Sequence, residues 1–206
     1  VEKMKRMKTA LKILAVLPCL FLLFSCDNIL NKDQESDSLL IVAKISGVTA
    51  DGSEADFYES DVRVINTAPP PAYFIYEDIA TATLEAKLKE PESILGPSYT
   101  NNVLIYGYRI SYETVLPGGI DPPDPFSGSL NVVIDIDATV DVTFILVRAA
   151  AKDLPPLDTL GGMNALLVDA TITFYCKDLN GKPVKDAQGR DPSATISINF
   201  MDWADK

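Results

Sequence analysis

The side chains of this chain that could do chemistry are almost all oxygen acids. Among 206 residues there are 29 Asp or Glu, three Cys and no His. Without imidazole there is no Ser-His-Asp or Cys-His nucleophile, no His-ligated zinc or haem, and no side chain that ordinarily titrates near neutrality. Carboxylates suit either calcium, which takes oxygen ligands, or hydrolysis by a pair of acids. Asp178-Leu179-Asn180-Gly181 carries the oxygen ligands and glycine of the first half of a calcium loop, but Lys182, Pro183 and Val184 follow where more ligands are needed. A hairpin turn is the simpler reading, because Asn-Gly takes positive φ at little cost. Asp135, Asp137 and Asp141 crowd a second hairpin end. Like charges there repel unless a cation screens them, so weak calcium binding competes with plain solvation, which is favoured. Asp121 and Asp124 lie in a proline-stiffened loop and could contribute ligands from outside. A pair of hydrolytic carboxyls must stand about 5 to 9.5 Å apart in a cleft, which spacing along the chain does not establish. No catalytic residue is assigned and no cofactor is expected.

Two further groups bear on chemistry. Cys176 alternates in phase with Ile172 and Phe174, which points it inward, and no histidine or cationic cluster is present to activate it. A buried, inert thiol is favoured over a reactive one. Tyr73, Phe74 and Tyr76 follow Pro69-Pro70-Pro71. They suit a ligand platform, for sugar or a partner strand, or else a loop packed inward, and the inward reading is favoured. Tyr106, Tyr108 and Tyr112 share strand parity and are expected in the core, and Trp203 is expected to pin the carboxyl terminus beside Phe200.

The elements that must hold these groups read as strands. Period-two alternation begins with Leu39, Ile41, Ala43 and Ile45, and is strict over Ala80 to Lys89, where every even residue is apolar. It returns in Leu104 to Tyr112, Leu130 to Ile136, Val140 to Leu146, Val168 to Cys176 and Ala194 to Phe200, with a shorter piece at Asp61 to Asn66. Breakers separate them, among them Pro117-Gly118-Gly119, Pro122-Pro123 and Asn180-Gly181. Leu160 to Leu166 has room for one helical turn. Strands with one apolar and one polar face must cover one another, so an all-β fold is expected: an antiparallel β-sandwich of about 7–8 strands in a single domain, 39–206.

The first 25 residues differ in kind. Lys3, Lys5, Arg6, Lys8 and Lys12 precede the twelve-residue apolar run Ile13 to Phe24, which is shorter than the roughly 20 residues of a membrane-spanning helix. The segment Leu23-Phe24-Ser25-Cys26 after that run resembles the lipobox of bacterial lipoproteins. The resemblance implies a signal peptide over 1–25, diacylglyceryl thioether attachment at Cys26, cleavage before it and acylation of the new amino terminus. Polar residues 26–38 then read as the lipidated cysteine and a flexible tether. Removing residues 1–25 takes five of 18 basic and one of 29 acidic residues, which changes the net charge from −11 to −15. Such a domain repels nucleic acid and anionic headgroups, so nucleic acid is excluded as a partner and attachment to the bilayer rests on acyl chains at Cys26.

The stretch Ala170 to Val184, with Thr173-Phe174, the Asp178-x-x-Gly181 turn and the closing strand Ser197-Ile198-Asn199-Phe200, resembles the last strands of bacterial immunoglobulin-like domains. That resemblance implies an immunoglobulin-like sandwich used for adhesion, assembly or spacing, and it carries no catalytic residue over. The expected protein is therefore a lipid-anchored, noncatalytic binding or assembly module of the bacterial cell envelope, with an envelope protein or glycan as partner. A carboxylate-dependent hydrolase of envelope carbohydrate and a calcium-stabilised structural module are the alternatives.

Overall fold

A computed structural model describes residues 35–66, 72–92, 96–115, 120–160 and 164–202. Strands dominate it. In chain order they are β1 (Ser38–Val48), β2 (Glu54–Ala55), β3 (Phe57–Asp61), β4 (Val64–Asn66), β5 (Ala72–Phe74), β6 (Asp78–Leu88), β7 (Val103–Thr114), β8 (Phe126–Ile134), β9 (Thr139–Val147), β10 (Ala165–Asp178) and β11 (Ser193–Met201). One short helix, α1 (Ala149–Lys152), follows β9, and 3-10 turns occupy Tyr99–Asn101 and Leu157–Thr159. The helical turn expected at Leu160 to Leu166 falls earlier, because Ala165 and Leu166 already belong to β10. The signal segment, Cys26 and Trp203 lie outside the described residues.

The strands form a four-stranded sheet in the order β2-β1-β6-β9, a five-stranded sheet in the order β3-β11-β10-β7-β8, and a separate two-stranded ribbon, β4-β5. All pairings are antiparallel except β3 with β11, which is parallel and departs from the wholly antiparallel expectation. The expected piece at Asp61 to Asn66 is split: Asp61 ends β3, and β4 starts only at Val64. Ser36 and Ser38, read from sequence as tether, are buried, and Ser38 opens β1 and donates to the Asn101 carbonyl at 2.6 Å.

Alternation places the inner residues correctly wherever the ladder is unbroken. Ala80, Ala82, Leu84 and Ala86 of β6 and Val168, Ala170, Ile172 and Phe174 of β10 are all buried. Two bulges defeat it. In β1 the pairing jumps from Val42–Leu84 to Lys44–Thr83, leaving Ala43 as the extra residue. Parity flips there, so Leu40 and Ile45 are buried while Ala43 is exposed. In β7 the partners of Gly107 and Ile105 are Tyr175 and Cys176, so Tyr106 is extra and turns outward beside Tyr175. Tyr108 and Ile110 are buried as expected; Tyr106 is half exposed, contrary to the expectation that it joins the core.

A third bulge links the sheets. Asp78 pairs with Val147 and Ile79 with Ile145, so Leu146 is extra in β9. Bulged backbone leaves carbonyls without ladder partners, and burial makes that costly. Tyrosines of the opposite sheet reach across: Tyr108 donates to the Ile145 carbonyl at 3.1 Å and Tyr112 to the Leu146 carbonyl at 2.6 Å. The Tyr108 ring also meets Phe126 and Phe144 edge-on, and Phe144 meets Phe174. At the other side of the core, Gly47 of β1 lets the Phe57 carbonyl approach so closely that a Cβ there would collide with it. Gly47→Ala must therefore displace backbone, and urea denaturation is expected to show a loss of about 1–3 kcal/mol. An unchanged midpoint would show that the two backbones do not need this approach.

Candidate binding surface

The β4-β5 ribbon pairs Val64 with Phe74, Ile65 with Tyr73 and Asn66 with Ala72, and it joins neither large sheet. A strand inside a sandwich has one wet face and one dry face. This ribbon leaves Tyr73 and Phe74 exposed although adjacent strand residues point to opposite faces. Tyr73 is 68% exposed, Phe74 41% and Tyr76 58%. Phe74 and Tyr76 stack with ring centroids 6.2 Å apart and planes 17° from parallel. Ile79, at the start of β6, adds a further exposed apolar side chain. The inward packing favoured on sequence grounds is thus not what these three aromatics do. Their paired partners Val64 and Ile65 are half-buried, so it is the β5 side of the ribbon that carries the exposed rings.

The roots of this excursion are fixed by a buried polar cluster. Asp61 ends the strand that leads into the ribbon and Asp78 begins the strand that leaves it. Lys152 of α1, only 2% exposed, donates from Nζ to Asp78 Oδ1 at 2.6 Å and to the Asp61 carbonyl at 2.7 Å. Ser60 Oγ donates to the other carboxylate oxygen, Asp78 Oδ2, at 2.5 Å, and the Tyr58 hydroxyl also hydrogen-bonds this carboxyl. Burial raises the Asp78 carboxyl above its usual range, against the pull of the Lys152 ammonium and the two hydroxyls. Burial, helped by the nearby Asp78 charge, pushes the Tyr58 hydroxyl up to about 12, and the Tyr112 hydroxyl is raised by the same two causes. Such a pair combines a large desolvation cost with a large mutual attraction. Asp78 could have been found from sequence, since it extends the inward parity of Ala80, Ala82 and Leu84. Lys152, after three alanines, gave no signal.

The acidic candidates do not converge. Asp135 accepts from Asn102 Nδ2, Asp137 occupies the hairpin turn at φ 63°, and Asp141 accepts from Thr83 Oγ1 at 2.7 Å. At the other turn Asp178 Oδ1 accepts from the amides of Asn180 and Lys182, both at 2.9 Å, and Gly181 has φ 87°. Those contacts are those of a side-chain-capped turn. Asp121 and Asp124 are exposed. Among the described residues no group of three or more Cys, Asp or Glu is placed to hold a metal ion. Cys176 is buried, and Sγ donates to the Val184 carbonyl at 3.3 Å. Burial first, then the Asp191 charge, pushes its thiol up to about 12 although Lys185 opposes them.

Two outcomes follow from this geometry. Asp78→Ala alone strands a buried ammonium and is expected to cost about 3–5 kcal/mol in denaturant titration, whereas Asp78→Ala with Lys152→Met should cost less than the two single changes added. Additive losses would dissolve the pair as an energetic unit. Because the thiolate of Cys176 forms only toward pH 12, the native protein at pH 8 is expected to resist iodoacetamide that labels it fully in denaturant; rapid native labelling would contradict that. No family model matches this chain, and comparison with characterised proteins and with solved structures likewise finds no match.

Proposed function

We propose that this chain is a lipid-anchored, noncatalytic binding module of the bacterial cell envelope, with an immunoglobulin-like β-sandwich as its body and the β4-β5 ribbon as its ligand surface. The observation that carries the reading is the exposure of Tyr73 and Phe74 on one small ribbon together with Tyr76 just after it. Clustered exposed aromatics mark interaction sites, because each ring offers a large area to bury with few rotors to freeze. The sandwich reading is supported by two sheets whose inner rows meet in one apolar core, from Leu40 and Leu84 on one side to Ile172 and Phe174 on the other. The anchor is supported by the basic, apolar and Ser25-Cys26 order of residues 1–26. Acidic charge then keeps the body off anionic headgroups while acyl chains hold it near the membrane. The partner is an envelope protein or glycan that covers the rings.

The test is made in native membranes. Wild-type protein is expected to incorporate a fatty-acid analogue and to co-purify with its partner. Cys26→Ala should lose the label and leave the membrane fraction. Tyr73→Ser with Tyr76→Ser should keep the label and lose the partner, with at least about 2 kcal/mol of binding per central ring removed. Label retained by Cys26→Ala would overturn the anchor, and a partner retained by the tyrosine variant would overturn the surface.

A further inference from the structure

We propose that Lys152 is a positioning residue for the aromatic ribbon: its ammonium clamps the two roots of the excursion, and so sets how Tyr73, Phe74 and Tyr76 are presented. As a statement about binding, this rests on the ribbon being the ligand surface; as a statement about the ribbon's order, it stands on the contacts alone.

The chain leaves the five-stranded sheet at Asp61 and enters the four-stranded sheet at Asp78, so the ribbon bridges two sheets without pairing to either. A two-stranded ribbon is marginal by itself in water. Its direction must therefore be fixed where it is rooted. One Nζ contacts both roots, the Asp61 carbonyl at 2.7 Å and Asp78 Oδ1 at 2.6 Å. A second link, Ser60 Oγ to Asp78 Oδ2 at 2.5 Å, closes the same gap directly. On the near side, the Val62 amide donates to the Met201 carbonyl at 3.2 Å, and Arg63 Nη2 donates to the Asp158 carbonyl at 2.8 Å. Asp158 lies in the turn that follows α1, so the segment that supplies Lys152 also receives the first residues of the ribbon. Tying the ends of the excursion lowers the backbone freedom that would otherwise be lost on binding. A lysine serves here because a compact ammonium offers three donors from one point, enough for a carbonyl and a carboxylate that come from different strands.

The experiment is amide hydrogen exchange on the whole protein, without any ligand. Lys152→Met keeps the bulk of the side chain and removes the clamp. Exchange over 64–66 and 72–74 is expected to be about tenfold or more faster than in Gly47→Ala, a variant destabilised elsewhere, whereas the amides of β7 and β10 in the two variants differ only by their difference in global stability. Parallel acceleration of ribbon and core would mean that Lys152 supports only global stability, and unchanged ribbon exchange would mean that it supports neither; each result overturns the proposal. Should Lys152→Met fail to fold, Ser60→Ala removes only the second link, and a smaller acceleration confined to the ribbon is expected. An unaltered ribbon in that variant would overturn the clamp. Because no partner is present, failure of the ribbon as a binding surface would leave these results unchanged, which separates the two ideas.

Discussion

An ammonium that is withdrawn from water must find its acceptors inside the protein, and Lys152 finds them on two different strands. That requirement organises one end of the molecule. It brings α1 against the end of β3 and the start of β6, and it holds Asp61 and Asp78 together across the gap between two sheets. Ser60 and Tyr58 supply the remaining donors that a buried carboxylate needs. The desolvation of these charges costs several kcal/mol per ion, and only full pairing offsets it. The ribbon that grows from this root pairs with neither large sheet, and these contacts hold its base.

The second constraint is the closing of two sheets over one core. The ladders of both sheets are interrupted at bulges: Ala43 in β1, Tyr106 in β7 and Leu146 in β9. At Leu146 the bulge frees backbone carbonyls, and the hydroxyls of Tyr108 and Tyr112 satisfy them from the facing sheet. These two tyrosines therefore act both as apolar area and as inter-sheet hydrogen bonds.

Most of the strand content was legible in the sequence because a strand with one dry face writes its burial as strict alternation, as β6, β10 and β11 do. The same rule misplaced Leu39 and Tyr106, since a bulge shifts parity by one residue and leaves no compositional mark. The turn at Asp178 to Gly181 was legible through the φ demands of Asn-Gly. The exposure of Tyr73, Phe74 and Tyr76 was not, because whether an aromatic faces a core depends on what the rest of the chain places beneath it. Asp78 was half legible, by its inward parity. Lys152 was silent, because a lysine in a short alanine helix has the same local sequence whether it faces water or a carboxylate.

The proposed function makes one demand on the ribbon: its exposed tyrosines must be covered when the partner is present. The most direct measurement is the reactivity of individual tyrosines toward a nitrating reagent, in purified protein and in native membranes. Tyr99, 76% exposed and outside the ribbon, is the internal reference. The expected result is that Tyr73 and Tyr76 react in the purified protein but are protected in membranes, while Tyr99 reacts equally in both. Equal reactivity of all three tyrosines in the two settings would contradict a partner seated on the ribbon.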